Sequence, residues 1–152
     1  MVSTLRRHYP AVAKDLLSPL LKLCHLVNQT FGGDFEQYWI LAVIGARSLE
    51  DPRVAKANMD DLESGSIAEL PGLGTNLRSI AASTGIPPET VRRKVGLLRK
   101  RGWVSRRGNN LFYTTEGFVA MALVRNAMLM LAASNHRIVR SISGGPSEIQ
   151  GG

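Results

Sequence analysis

The sequence predicts a mainly α-helical fold with one small β-hairpin, and three observations carry that expectation. Apolar residues recur at spacings of three and four through most of the chain, as in helices that bury one face. Proline and glycine sit at the ends of those periodic runs, where helices start and stop. Between Trp103 and Thr114 the helical period gives way to strand-forming residues on either side of Gly108-Asn109-Asn110, which is turn chemistry suited to positive φ.

From the N-terminus, Ser18-Pro19 has the form of an N-cap followed by proline at the first helical position, where its missing N–H costs nothing. A helix is expected from there to about residue 31, with Leu20, Leu23, Cys24, Val27 and Phe31 forming one apolar stripe. Residues 10–17 form an earlier helix in this reading, joined by a kink at Pro19. Gly32-Gly33 ends the run. Asp34 with Gln37 three residues later resembles a capping box and opens a helix over residues 35 to about 46. Its Tyr38, Trp39, Ile40, Leu41, Val43 and Ile44 cover nearly the whole circumference, so burial on several sides, including by a partner subunit, is expected. Asp51-Pro52 repeats the cap-then-proline signal and predicts a third helix up to Asp60-Asp61. Residues 63–74, rich in Gly, Ser and acids, read as a loop with a turn of helix over 67–70.

The central segment is the most informative. Residues 76–83 form a short helix with Leu77, Ile80 and Ala81 inward, and Gly85 stands where a tight turn demands positive φ. Ile86 plugs the core and Pro87-Pro88 opens a second helix. Val91, Val95 and Leu98 are its buried stripe. At roughly 100° per residue, Glu89, Arg93, Gly96 and Lys100 lie opposite the stripe, with Arg92 and Arg99 on one flank and Thr90, Lys94 and Arg101 on the other. Gly102 ends the helix, and the hairpin that follows carries Arg106 and Arg107 near its tip, with Asn109 in the turn. Thr115 is read as the cap of a last long helix, residues 116 to about 138, whose Phe118, Met121, Ala122, Val124, Leu129 and Leu131 give a broad apolar surface. Residues 141–152 have the Gly/Pro/Ser composition of a flexible tail.

Charge singles out the same segment. Between Gly72 and Tyr113 nine basic residues (Arg78, Arg92, Arg93, Lys94, Arg99, Lys100, Arg101, Arg106 and Arg107) face one acid, Glu89. That window is +8, the whole chain is +7, and the remainder is therefore −1. Charge gathered on one segment is what a phosphate-binding surface requires. Recognition helices place their N-terminal residues against base edges, which makes Glu89, Thr90, Arg92 and Arg93 the candidates for reading sequence. Lys100 and Arg101 are expected to meet phosphate, and Gly96 either permits close approach to a groove wall or is simply tolerated. Arg106, Arg107 and Asn109 complete the candidate DNA-binding set, with basic tips of this kind suited to backbone or minor groove.

The run T-G-I-P-P-E-T-V-R-R-K-V-G-L-L-R-K-R-G-W-V, then a basic hairpin and Y-T-T-E-G, resembles the winged helix-turn-helix of bacterial transcriptional regulators, most of all the MarR family. The matching positions are Val91, Val95, Leu98, Arg101-Gly102-Trp103-Val104 and Thr114 to Gly117, within about 45 residues. Pro87 stands where that family has a capping serine, and the hairpin is shorter and lacks its aspartate. GntR-like, IclR-like and Crp-like winged helices also use E-T-V-R-R, so the family within that superfamily stays open. The resemblance implies a winged helix-turn-helix domain flanked by N- and C-terminal dimerisation helices. It also implies a homodimer on double-stranded DNA at a near-palindromic operator.

The organisation read from these signals is N-terminal helices over 1–62, the DNA-binding domain over 66–115, a C-terminal dimerisation helix over 116–140, and the tail. At 152 residues the chain fits one domain. Its single cysteine, Cys24, on the apolar stripe, is expected to be a buried inert thiol rather than a sensor, and suits a reducing cytoplasm. The apolar run at 16–27 is too short to span a bilayer. His8, His25 and His136 are dispersed, so no metal site is expected, and no catalytic triad or phosphate loop assembles, so no enzyme or cofactor is expected. Tyr38, Trp39, Met121, Met128 and Met130 are read as core and interface packing rather than a small-molecule effector pocket. The alternative reading is a protein-interaction or assembly module without DNA binding.

Overall fold

The computed structural model describes residues 1–67 and 69–144. It is mainly helical, with one two-stranded antiparallel hairpin, in the order α1 (Val2–Thr30), α2 (Phe35–Leu49), α3 (Pro52–Ala55), α4 (Met59–Glu63), α5 (Leu77–Thr84), α6 (Pro88–Lys100), β1 (Val104–Arg107), β2 (Asn110–Tyr113), α7 (Thr115–Ala120) and α8 (Ala122–Ser143). The chain divides into two compact units, Val27–Ala122 and Met1–Leu26 with the described residues from Leu123 onward. Residues 27–62 thus belong with the central segment. Among the described residues no helix is long and apolar enough to cross a membrane.

In the larger unit α2 is the central element and packs against α5, α6 and β2. Asp34 caps it, accepting from the Gln37 backbone N–H at 3.2 Å while the Gln37 amide donates to the other Asp34 oxygen at 2.9 Å. Ile40, Leu41 and Ile44 are buried, and α6 sets Val91, Val95 and Leu98 into the same core. The other side of α2 is open: Phe35 and Trp39 are exposed, so this chain alone covers one face of a helix that is apolar nearly all round. Phe31 is buried and meets Tyr38 and Trp103 edge-on, with ring centroids 5.7 and 5.6 Å away.

Ser48 joins α2 to the hairpin. Its hydroxyl accepts from the buried Tyr113 backbone N–H at 3.2 Å and donates to the Leu73 carbonyl at 3.3 Å. The strands pair Val104 with Tyr113, Ser105 with Phe112, Arg106 with Leu111 and Arg107 with Asn110. Gly108 alone supplies the positive φ of the turn, so Asn109 and Asn110 are not left-handed as their residue types suggested. Thr75, to which the sequence reading assigned no element, bridges Leu111 in both directions, at 3.1 and 2.7 Å, as an isolated β-bridge beside the hairpin. Ala68 falls outside the described residues, and Ile67, Glu69 and Leu70 of the expected helical turn over 67–70 are not helical.

Four other boundaries depart from the sequence reading. Residues 2–30 form one helix with Pro10 and Pro19 inside it. Ser18 is no cap, because its hydroxyl donates back to the Lys14 carbonyl at 2.8 Å. The inward line of this helix runs through buried Val12 and half-buried Leu16, Pro19, Leu23 and Leu26, so Leu20 and Cys24 fall one position aside and are exposed. The expected third helix is divided because Asn58 caps a new one, accepting from Asp60 N–H at 2.8 Å. Thr114, not Thr115, caps α7, accepting from Gly117 N–H at 2.9 Å, and the helical path is interrupted at Met121, where ψ is 10°. Finally α8 extends to Ser143, beyond the expected start of the tail; residues 145–152 are outside the described structure.

The smaller unit, taken by itself, holds α1 up to Leu26 and α8 from Leu123. An open groove of about 620 Å³ is lined by both helices, including Leu26, Leu123 and Met130 with Asp15, Lys22 and Arg137. Tyr9, Leu17, Leu20 and Leu21 of α1 and Leu123, Met128, Leu129 and Met130 of α8 are exposed.

Ser48→Ala takes from the Tyr113 N–H its bond to α2 without changing the apolar packing. We expect a loss of about 1–2 kcal/mol in urea unfolding; an unchanged midpoint would show that the hydroxyl does not hold the hairpin in place.

Candidate nucleic-acid interface

The turn between α5 and α6 is built by three consecutive residues. Thr84 donates its hydroxyl to the Ile80 carbonyl at 2.8 Å and accepts from Ile86 N–H at 3.2 Å, which closes the end of α5 from within. Gly85 turns the chain at φ 72°, and buried Ile86 anchors the far side. Pro87 then stands at the N-cap of α6 without any side-chain cap, and Pro88 occupies the first turn. The missing cap leaves the first N–H groups of α6 without a side-chain acceptor from residue 87, at the end that also carries Glu89.

With Val91, Val95 and Leu98 inward, Glu89, Arg92, Arg93, Arg99 and Lys100 are exposed, while Thr90 and Gly96 are half-buried. Glu89 and Arg92 form a two-point ion pair: Arg92 Nε donates to both carboxylate oxygens, at 3.1 and 2.9 Å, and Nη2 donates to Oε1 at 2.5 Å. These hydrogen bonds, with the opposite charge each group presents to the other, hold the Glu89 carboxyl below its ordinary range and the Arg92 guanidinium above its own. A Cβ placed on Gly96 meets open space, so nothing within the chain requires glycine there.

The remaining candidates are engaged with their own chain. Arg101 does not project freely: its guanidinium lies over Trp103 at 4.6 Å and Phe31 at 5.9 Å and donates to the Thr30 carbonyl at 3.1 Å. Arg106 braces the hairpin turn by donating to the Gly108 carbonyl at 2.8 Å. Arg107 stacks on Phe112 at 4.1 Å and pairs with Glu69 at 3.3 Å. Asn109 is exposed at the tip. Arg78, outside the candidate set, lines a shallow recess with Asn76, Arg106 and Asn109, where the start of α5 and the hairpin turn come together.

Lys94 is the residue that sequence reasoning misplaced. Expected on an exposed flank, it is 7% exposed and reaches Asp34 at 2.6 Å and Glu36 at 3.1 Å. A signal was present, since positions 91, 94, 95 and 98 are the i, i+3, i+4, i+7 pattern of one buried face. Its aliphatic stem extends that face and its ammonium emerges at the start of α2. Burial alone raises the Asp34 carboxyl, but hydrogen bonds from Lys94 and Gln37 and the Lys94 charge bring it net below its ordinary value. Likewise burial lowers the Lys94 amine, and its bonds and charges with Asp34 and Glu36 bring it net above.

The arrangement thus offers a convex face with exposed cations Arg93, Arg99 and Lys100, one Glu89–Arg92 fork at its N-terminal end, and a basic recess beside it at Arg78 and Arg106. Among the described residues no three of His, Cys, Asp or Glu come together as metal ligands. No protein family, characterised protein or solved structure matches the chain.

Asp34→Ala removes both the cap of α2 and the partner of Lys94, and we expect a loss of about 2–3 kcal/mol in urea unfolding. Lys94→Met, which removes the cost of burying the ammonium and keeps the stem, is expected to lose about 1 kcal/mol or less. The pair's contribution is complete between the ordinary carboxylate and lysine ranges. It falls away as pH drops through the lowered Asp34 value or rises through the raised Lys94 value. An Asp34→Ala variant with the same stability profile against pH as the parent would contradict this role.

Proposed function

We propose that the unit Val27–Ala122 contains a winged helix that binds double-stranded DNA, with α6 in the major groove and the hairpin on the backbone or minor groove. In this reading the chain is a sequence-specific transcriptional regulator of the winged helix-turn-helix type. The observation that carries it is the opposition on one helix of a fully buried stripe, Val91, Val95 and Leu98, to a face bearing Glu89, Arg92, Arg93, Arg99 and Lys100. A helix fixed to its domain by one face and cationic on the other suits a groove whose walls are phosphate and whose floor displays donors and acceptors. The turn at Gly85 and the basic hairpin tip support the same reading.

Arg93, at the N-terminal half of the helix, is assigned to base edges, and Lys100, near its end, to phosphate. Arg106 and Asn109 at the hairpin tip are assigned to backbone or minor groove, while Arg101 and Arg107 serve first to brace the hairpin and its approach. The exposed apolar residues of α1 and α8, Leu17, Leu20, Leu21, Leu123, Leu129 and Met130 among them, support a homodimer in which two copies read a near-palindromic site.

Counterion release makes the test direct. For a dimer that neutralises 6–10 phosphates, affinity for duplex DNA falls by about 10³- to 10⁵-fold between about 50 and 200 mM salt. We expect Lys100→Ala to weaken all sequences alike and to make the slope of log affinity against log salt shallower by about 1 for each phosphate no longer neutralised. Arg93→Ala is expected to flatten base preference instead. Binding indifferent to salt, or identical effects from both variants, would overturn the assignment.

A further inference from the structure

Within the central segment, residues 72–113, whose formal charge is +8, a single carboxylate, Glu89, stands in the first turn of α6 on the face turned to solvent. Its side chain is 76% exposed. A helix N-terminus favours an acid, which accounts for an acid in that turn and for nothing about its partner. Against phosphate, however, a carboxylate is repelled unless a donor meets it. The Glu89 oxygens accept from Arg92 Nε and Nη2 and still have lone pairs directed outward. Arg92 in turn has five N–H groups; the edge formed by Nε and one Nη2 hydrogen is taken by Glu89, leaving three on Nη1 and Nη2. The fork therefore presents an acceptor and a set of donors side by side, at a spacing fixed by the ion pair.

Resting on the DNA-binding reading above, we propose that Glu89 and Arg92 act as one unit that reads a C·G base pair in the major groove. The carboxylate accepts from cytosine N4, and the Arg92 N–H groups that Glu89 leaves free donate to guanine O6 and N7. A C·G pair offers one donor beside two contiguous acceptors, the complement of the fork, whereas in an A·T pair the N6 donor lies between the O4 and N7 acceptors, so a carboxylate on N6 leaves Arg92 no adjacent pair of acceptors. Arg92 is also a positioning residue for Glu89, since its two-point grip removes the rotamer freedom an isolated glutamate loses on binding. Arg93, which has no carboxylate partner among the described residues, keeps its full donor fork for a guanine of its own.

The test is selection of bound duplexes from a random-sequence library by the full chain and by Glu89→Gln at one salt concentration. Competition affinities on duplexes differing at the enriched position complete it. Glu89 is exposed, so the variant should keep the parent's fold, checked by circular dichroism. We expect the parent to enrich a C·G pair in each half-site and Glu89→Gln to shift that position to A·T, which glutamine reads through N6 and N7, with a change in preference of roughly tenfold or more. Arg92→Lys, which keeps charge and loses the planar fork, should broaden the same position without moving it. Enrichment of the same base pair by the parent and Glu89→Gln would overturn the C·G assignment while leaving the DNA-binding reading standing. Failure of the parent to bind duplexes at all would overturn both.

Discussion

The arrangement of the larger unit turns on one buried ammonium. Lys94 sits in the middle of α6 and is held by Asp34 and Glu36 at the first turn of α2. Asp34 is at once the cap that starts α2 and the acceptor that fixes α6, so the helix carrying the core and the helix carrying the exposed cations are joined at one carboxylate. A second grip lies at the C-terminal exit of α6. There Arg101 spans Trp103, Phe31 and the Thr30 carbonyl, attaching the helix exit to the end of α1. On the same side of α6 as Lys94, Val91, Val95 and Leu98 fill the core, and the orientation of the outer face follows from contacts on the inner one.

This division also sorts the charge. Of the nine basic residues in the central window, Lys94, Arg92 and Arg107 are paired with acids and Arg101 with aromatic rings and a carbonyl. Arg93, Arg99 and Lys100 are left on the outer face of α6 and Arg78 on α5, while Arg106 turns back on the hairpin. The +8 of that window therefore overstates the charge offered to a ligand. Most of what remains is gathered on the outer side of α6, with Arg78 and Arg106 beside it, rather than spread over the surface, which suits groove binding better than nonspecific attraction.

Features decided by a few neighbouring residues were legible in the sequence. Asp34 as cap, Gly85 as the left-handed turn, the 91/95/98 stripe and the hairpin around Gly108 all follow from local rules, and each is in place. Features decided by distant partners were not. The burial of Lys94 needs Asp34 sixty positions away, and the contacts of the exposed Arg101 and Arg107 need Thr30 and Glu69. Thr75 pairs with Leu111 as a single residue, too short for any alternation to reveal. Pro19 misled for a different reason. Its local signal for a helix start is sound, but the inward line Val12, Leu16, Pro19, Leu23 and Leu26 continues through it, and the longer helix prevails.

In the proposed function, the outer face of α6 and the adjoining hairpin tip form one surface for duplex DNA. Titrating a short duplex into isotopically labelled protein and following backbone amide shifts tests it residue by residue. We expect the largest changes at Glu89, Arg92, Arg93, Gly96, Lys100 and the Gly108–Asn109 turn, with Lys94 and the core of α2 little affected. Shifts confined to α1 and α8, with α6 unmoved, would contradict it.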